Sequence, residues 1–136
     1  MSEALYHDAI LALAKDRTHA GRLDAPARTG TLDNPLCGDR VTLDIELGDD
    51  GTIRRIRHFV RGCALCQASA AALAAALEGR TAADLDAADA ALERALAGQK
   101  GPESDVWQSF LPVGRHSSRF DCVRLPLAAA RRTLEA

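Results

Sequence analysis

A chain of 136 residues with 47% hydrophobic content suits a single domain over residues 1–136 and leaves little room for a second core. Its 19 acidic and 17 basic residues nearly cancel, and a formal charge of -2 argues against nucleic acid or an anionic membrane as the main partner. The longest apolar run, after Cys66, is shorter than the roughly 18 residues of a membrane span, and Met1-Ser2-Glu3-Ala4 shows no secretory pattern, so the expected location is the cytoplasm.

The first expected element is a helix over residues 3–16, with Glu3 at its positive end and a stripe of Leu5, Ala9 and Ala12 beside Tyr6, Ile10 and Leu13. Residues 17–35 carry Gly21, Pro26, Gly30 and Pro35 and read as a long connection with room for a short strand. Residues 40–47 form the clearest strand, because Val41, Leu43, Ile45 and Leu47 alternate with polar neighbours. Gly48-Asp49-Asp50-Gly51 supplies a turn, and residues 52–60 return. The alternation slips between Ile53 and Ile56, which predicts a bulge at Arg54-Arg55 that restores Ile56, His58 and Val60 to one face.

Beyond Gly62-Cys63 the period changes. Leu65, Ser69, Leu73 and Leu77 recur every fourth position and mark a helix that stops at Gly79. Thr81, with Asp84 three positions on, is the expected cap of a second helix, carrying Leu85, Leu92 and Leu96 inward and ending at Gly98. Residues 99–104 read as a loop, 105–111 as a short helix and 112–118 as a polar connection. A last helix turns Leu127, Ala130 and Leu134 inward, and Pro126, which has no amide to bond back four residues, places Cys122 just before or at its first turn. The fold class is therefore α+β: a small antiparallel sheet of about three strands with helices packed on one face.

Without a signal segment, the four cysteines do not suggest a disulfide framework. Cys63 and Cys66 form a C-x-x-C pair, while Cys37 and Cys122 lie far away on either side. Cys37-Gly38-Asp39 aims a thiolate and a carboxylate from one turn, and Cys63 and Cys122 each lie where free helix amides favour a thiolate. Cys37, Asp39, Cys63 and Cys122 make a complete tetrahedral set, suited to zinc or to a [2Fe–2S] cluster, and the carboxylate makes it more exchangeable than four cysteines.

Cys66 is the spare thiol, read either as a core residue or as an extra ligand or sulfur carrier. Arg119, three positions before Cys122, is placed to pair with Asp39 or to support a thiolate or persulfide, unless it is a solvated surface residue. His116 is a weaker ligand candidate, and His7, His19 and His58 read as packed or exposed residues. Arg54, Arg55, Arg57 and Arg61 form a basic strip with Phe59 as its single aromatic, so base stacking has little support.

Asn34-Pro35-Leu36-Cys37-Gly38-Asp39-Arg40, Gly62-Cys63-Ala64-Leu65-Cys66-Gln67-Ala68-Ser69 and Ser118-Arg119-Phe120-Asp121-Cys122 together resemble the U-type iron–sulfur scaffold family. The 59 positions from Cys63 to Cys122 resemble its sulfur-mobilisation branch, as does Asp121, where the shorter housekeeping scaffolds place histidine. The resemblance implies that Cys37, Asp39, Cys63 and Cys122 are the metal or cluster ligands, that Cys122 accepts sulfur, and that Arg119 exchanges places with that ligand. It also implies a cysteine desulfurase as partner, with downstream recipients of the cluster, and a protein that binds and transfers rather than a conventional enzyme. Asp16-Arg17-Thr18-His19 departs from the family's usual segment after the first helix, and Cys66 stands where serine is common. The rival readings are a structural zinc module without sulfur transfer, and a redox protein acting through Cys63 and Cys66.

Overall fold

The computed structural model describes residues 7–24, 28–102 and 104–135. Three antiparallel strands lie in the order β1 (Arg28–Asn34), β2 (Asp39–Leu47) and β3 (Ile53–Arg61). Val41, Leu43 and Ile45 of β2 and Ile56 of β3 are fully buried, as the alternation requires. Glu46 pairs with Arg55 and Leu47 with Ile53, so Arg54 is the extra residue of the expected bulge.

β1 is a full strand where the sequence suggests a connection with a short one. Its centre is Gly30, which weakens any strand signal, and the reason for that glycine is tertiary: a Cβ there would fall 2.1 Å from Thr133 Oγ1. Thr133 belongs to the last helix, α4 (Phe120–Glu135), which lies across β1 and β2.

Helix α1 (Asp8–Lys15) is capped by His7, whose Nδ1 accepts from the Ala9 amide. Its inward residues are Ile10, Leu13 and Ala14, whereas Ala9 and Ala12 of the expected stripe are not in the core. Glu3, Leu5 and Tyr6 of the expected helix lie outside the described residues. Helix α2 (Ala64–Leu77) is buried nearly all round, between the sheet, α1 and α4. Its small alanines let these neighbours approach closely. Helix α3 (Ala83–Leu96) starts two residues after Thr81, and Asp84 reaches back to accept from the Thr81 amide at 2.9 Å, which is one half of the expected capping box.

The expected short helix near residue 105 is a 3₁₀ segment, Val106–Arg115, that runs on through most of the expected polar connection. Trp107, Phe110 and Val113 are buried at a spacing of three, the period of a 3₁₀ turn, so one apolar stripe favours the tighter helix. A second 3₁₀ turn, Ser117–Arg119, leads into α4 and places Cys122 in its first turn. Among the described residues, no helix is long and apolar enough to cross a membrane.

His58 is buried in β3, and its Nε2 has no hydrogen-bond partner among the described residues. Burial lowers its pKa from 6.5 to about 4, Arg17, His19 and Arg57 add to the shift, and Asp16 opposes it. The unfolded chain thus takes up a proton near pH 6.5 that the folded chain refuses until about pH 4. Stability is expected to fall by about 2 to 3 kcal/mol across that window as pH drops. Urea unfolding of the wild type and of His58→Gln should give curves that diverge below pH 6.5; parallel curves would refute the assignment.

Candidate functional site

The turn from β1 to β2 is built by Asn34. Its Oδ1 accepts from the Leu36 amide at 3.0 Å and its carbonyl from the Gly38 amide at 2.8 Å. Gly38 closes the turn at a φ of 78°, a conformation that side-chain-bearing residues avoid. Cys37 is thereby left exposed, and Asp39 enters β2 with its residue only 4% accessible. β3 ends beside Asp39, and Cys63 caps α2 immediately after it. The first turn of α4 supplies Cys122, which is 2% accessible.

Three distant parts of the chain therefore converge. One donor atom each from Cys37, Asp39 and Cys122 lie within 4.8 Å of one another, the one such metal-competent group among the described residues. The Cys122 and Cys37 sulfurs are 3.9 Å apart. Cys63 joins through Asp39: its amide donates to Oδ1 at 3.2 Å and its Sγ lies 3.7 Å from Oδ2. Cys63 is not part of the tighter group of three.

The helix start does not dominate at Cys122. Burial pushes its thiol up, and the neighbouring Cys63 and Cys37 push it further. Packed thiols beside a carboxylate are a donor set suited to a cation, which on binding keeps the Cys122 sulfur as a thiolate despite its burial. The set is sulfur-rich with one oxygen, which fits zinc or iron. Beside Asp39 an open cleft of about 400 Å³ is lined by Asp33, Asn34, Pro35, Gly38, Arg40 and Arg61, so the carboxylate side of the set is reachable from outside.

Cys66 is fully buried in the core, and burial followed by the nearby Asp39 and Cys63 pushes its thiol up. Arg119 is exposed, and no ion pair joins it to Asp39 among the described residues. His116 sits between the two 3₁₀ segments and is outside the metal-competent group. His7 bonds the Ser109 carbonyl at 2.7 Å and His19 pairs with Glu78 at 3.1 Å, so both tie segments together. Arg55 and Arg57 of the basic strip are paired with Glu46 and Glu78.

Two residues important to the site escape the sequence reading. Ser69 Oγ donates to the Val123 carbonyl at 2.6 Å, holding the α4 turn that carries Cys122 against α2. Gly62 makes room for Asp39. Their only sequence signals were position, one on the inward stripe and one next to a cysteine.

The family model of the NifU-like N terminal domain matches residues 5–112, a stretch that holds Cys37, Asp39 and Cys63 but ends before Cys122. Over 63 residues the chain is 36% identical to the bifunctional protein NifU/MnmA of Rubrobacter xylanophilus, and over 84 residues 30% identical to the mitochondrial iron sulfur cluster assembly protein 1 of Debaryomyces hansenii. These matches take in 46% and 59% of this chain but 13% and 47% of those proteins, so the chain spans half or less of the curated relatives it matches. The crystal structure of a nitrogen-fixing NifU-like protein (N-terminal) from Brucella abortus superposes with a TM-score of 0.86 at 30% identity, covering 98% of this chain and 94% of that one.

Proposed function

The chain belongs to the family of the NifU-like N-terminal domain, and from that premise we propose that it serves iron–sulfur cluster assembly as a single domain. It accepts sulfur from a cysteine desulfurase and holds zinc or a nascent [2Fe–2S] cluster on Cys37, Asp39, Cys63 and Cys122. The observation that carries this reading is the convergence of Cys37, Asp39 and Cys122, from three distant segments, within 4.8 Å. The iron–sulfur assembly name of the Debaryomyces hansenii relative supports it.

Zinc, when bound, supplies a positive charge that keeps the cysteines as thiolates at neutral pH. Every other part of the proposed chemistry belongs to the chain. Cys122 attacks the terminal sulfur of the desulfurase persulfide, the sulfur–sulfur bond breaks, and the desulfurase cysteine leaves as a thiolate, so the transfer is redox-neutral. Exposed Arg119, one turn before Cys122, is placed to balance the persulfide charge once Cys122 has left the metal set. Cys37 and the Asp39 cleft face outward, where a partner or a recipient of the cluster can reach them. The sulfur-mobilisation branch, a cytoplasmic setting and the absence of conventional turnover belong to the same proposal.

Metal and acid-labile sulfide should be measured on protein purified without oxygen, before and after incubation with cysteine, a cysteine desulfurase and ferrous iron. One zinc per chain with a persulfide supports sulfur relay, and iron and sulfide in equal amounts support a cluster scaffold. Tightly held zinc with neither product would instead support a structural zinc module, and no metal at all would overturn the ligand assignment.

A further inference from the structure

We propose that Gly62 is a positioning residue for the ligand set, kept free of a side chain so that Asp39 can lie against Cys63; this rests on the assignment of Asp39 as a ligand. The two glycines flanking the ligands serve different purposes. Gly38 has a left-handed φ, and a Cβ placed on it would meet nothing within 4 Å, so it is required by the turn. Gly62 is exposed, has no left-handed φ, and has Asp39 packed directly over its α-carbon. A Cβ on Gly62 would lie 2.6 Å from Asp39 Oδ1, 2.8 Å from its Cγ and 3.1 Å from its Cβ.

Backbone preference therefore does not explain this glycine. Space does. Turning the Asp39 side chain would relieve the contacts at Oδ1 and Cγ, but only by taking the carboxylate off the Cys63 amide, 3.2 Å from Oδ1, and away from the Cys63 sulfur, 3.7 Å from Oδ2. The Asp39 Cβ is fixed by the β2 backbone, where Asp39 pairs with Asn34, and rotation cannot move it. An alanine at position 62 thus acts on the metal set through Asp39, whose carboxylate must turn away and whose Cβ must give by a few tenths of an ångström.

The test is a double-mutant cycle of Gly62→Ala and Asp39→Ala, read in two ways. In metal-free protein, the Cys63 amide resonance reports the hydrogen bond to Asp39 independently of whether metal binds. Gly62→Ala is expected to shift it far more in the Asp39 background than in the Asp39→Ala background, where only the ordinary effect of a neighbouring methyl group on the amide remains. In competition with a chromophoric chelator, Gly62→Ala is expected to weaken zinc binding about 10-fold in the Asp39 background. The same substitution should change binding by less than about twofold in the Asp39→Ala background. Were Gly62→Ala to fold poorly, Asp39→Ala added to it should largely restore folding, because it removes the two closest atoms, Oδ1 and Cγ, and leaves only the milder Cβ contact. Equal effects in both backgrounds, an unmoved Cys63 amide, or a double variant that stays unfolded would each overturn the proposal. Failure of the wild type to bind zinc, with the amide shifts as expected, would count against the metal assignment and leave the Gly62–Asp39 contact standing.

Discussion

Cys122→Ser is expected to abolish sulfur acceptance, leaving no more persulfide on the chain than desulfurase alone can account for. Serine fills nearly the same volume, and the turn that carries position 122 is held independently by Ser69 on the Val123 carbonyl, so the fold should survive. Serine also has no sulfur to attack a persulfide and binds zinc poorly as a neutral hydroxyl. The remaining Cys37, Asp39 and Cys63 should retain zinc with weaker affinity. Cys66→Ser provides the contrast: fully buried and with its thiol pushed up, Cys66 is not placed to meet a partner's persulfide, and its loss should leave transfer intact. A Cys122→Ser chain that still takes up persulfide would assign the chemistry to another cysteine.

The second large effect is structural. Asp44 is fully buried on β2 and accepts from Arg22 Nε at 2.6 Å and Nη2 at 3.1 Å, from Thr29 Oγ1 at 2.6 Å, and from the Leu23 amide at 2.9 Å. Burial pushes its carboxyl up, but the bonds from Arg22, Thr29 and Leu23 outweigh that and hold it below the usual carboxylate range. It ties the segment before β1, and β1 itself, to the centre of the sheet. Asp44→Ala leaves the Thr29 hydroxyl and the Leu23 amide without their acceptor and removes the arginine's partner. The expected loss is about 3 to 5 kcal/mol, a large part of the roughly 5 to 15 that a small domain has. Urea denaturation at neutral pH measures this directly. A loss below about 1 kcal/mol would mean that water replaces the carboxylate at low cost, as at an exposed ion pair.

Where side chains report on local geometry, the sequence was readable. The alternation of Val41, Leu43 and Ile45 located β2, the slip between Ile53 and Ile56 located the bulge, and Pro126 located Cys122 at a helix start. The tight turn at Gly38 was visible because glycine does something specific there, whereas the part Asn34 plays in it was not. What stayed hidden depended on distant partners. β1 has a glycine at its centre because Thr133 packs onto it, and nothing near Gly30 records that helix. In α1, alanine does not distinguish an exposed face from a buried one, so of the expected inward residues Ile10 and Leu13 are packed while Ala9 and Ala12 are exposed. Arg119 illustrates a different limit: its place in sequence left open whether it pairs with Asp39, supports a thiolate or lies in solvent, and in the fold it is exposed. The thiol of Cys122 departs from expectation for the same kind of reason: helix amides are a local effect, whereas burial and the other cysteines come from the fold.

The most direct measurement is mass spectrometry of the intact chain and of its Cys122 peptide after brief anaerobic incubation of the zinc-loaded protein with a cysteine desulfurase and cysteine. The account predicts one added sulfur per chain, located on Cys122 and removable by a reducing thiol. Sulfur found only on Cys37, Cys63 or Cys66, or no added sulfur while the desulfurase itself is persulfidated, would contradict it.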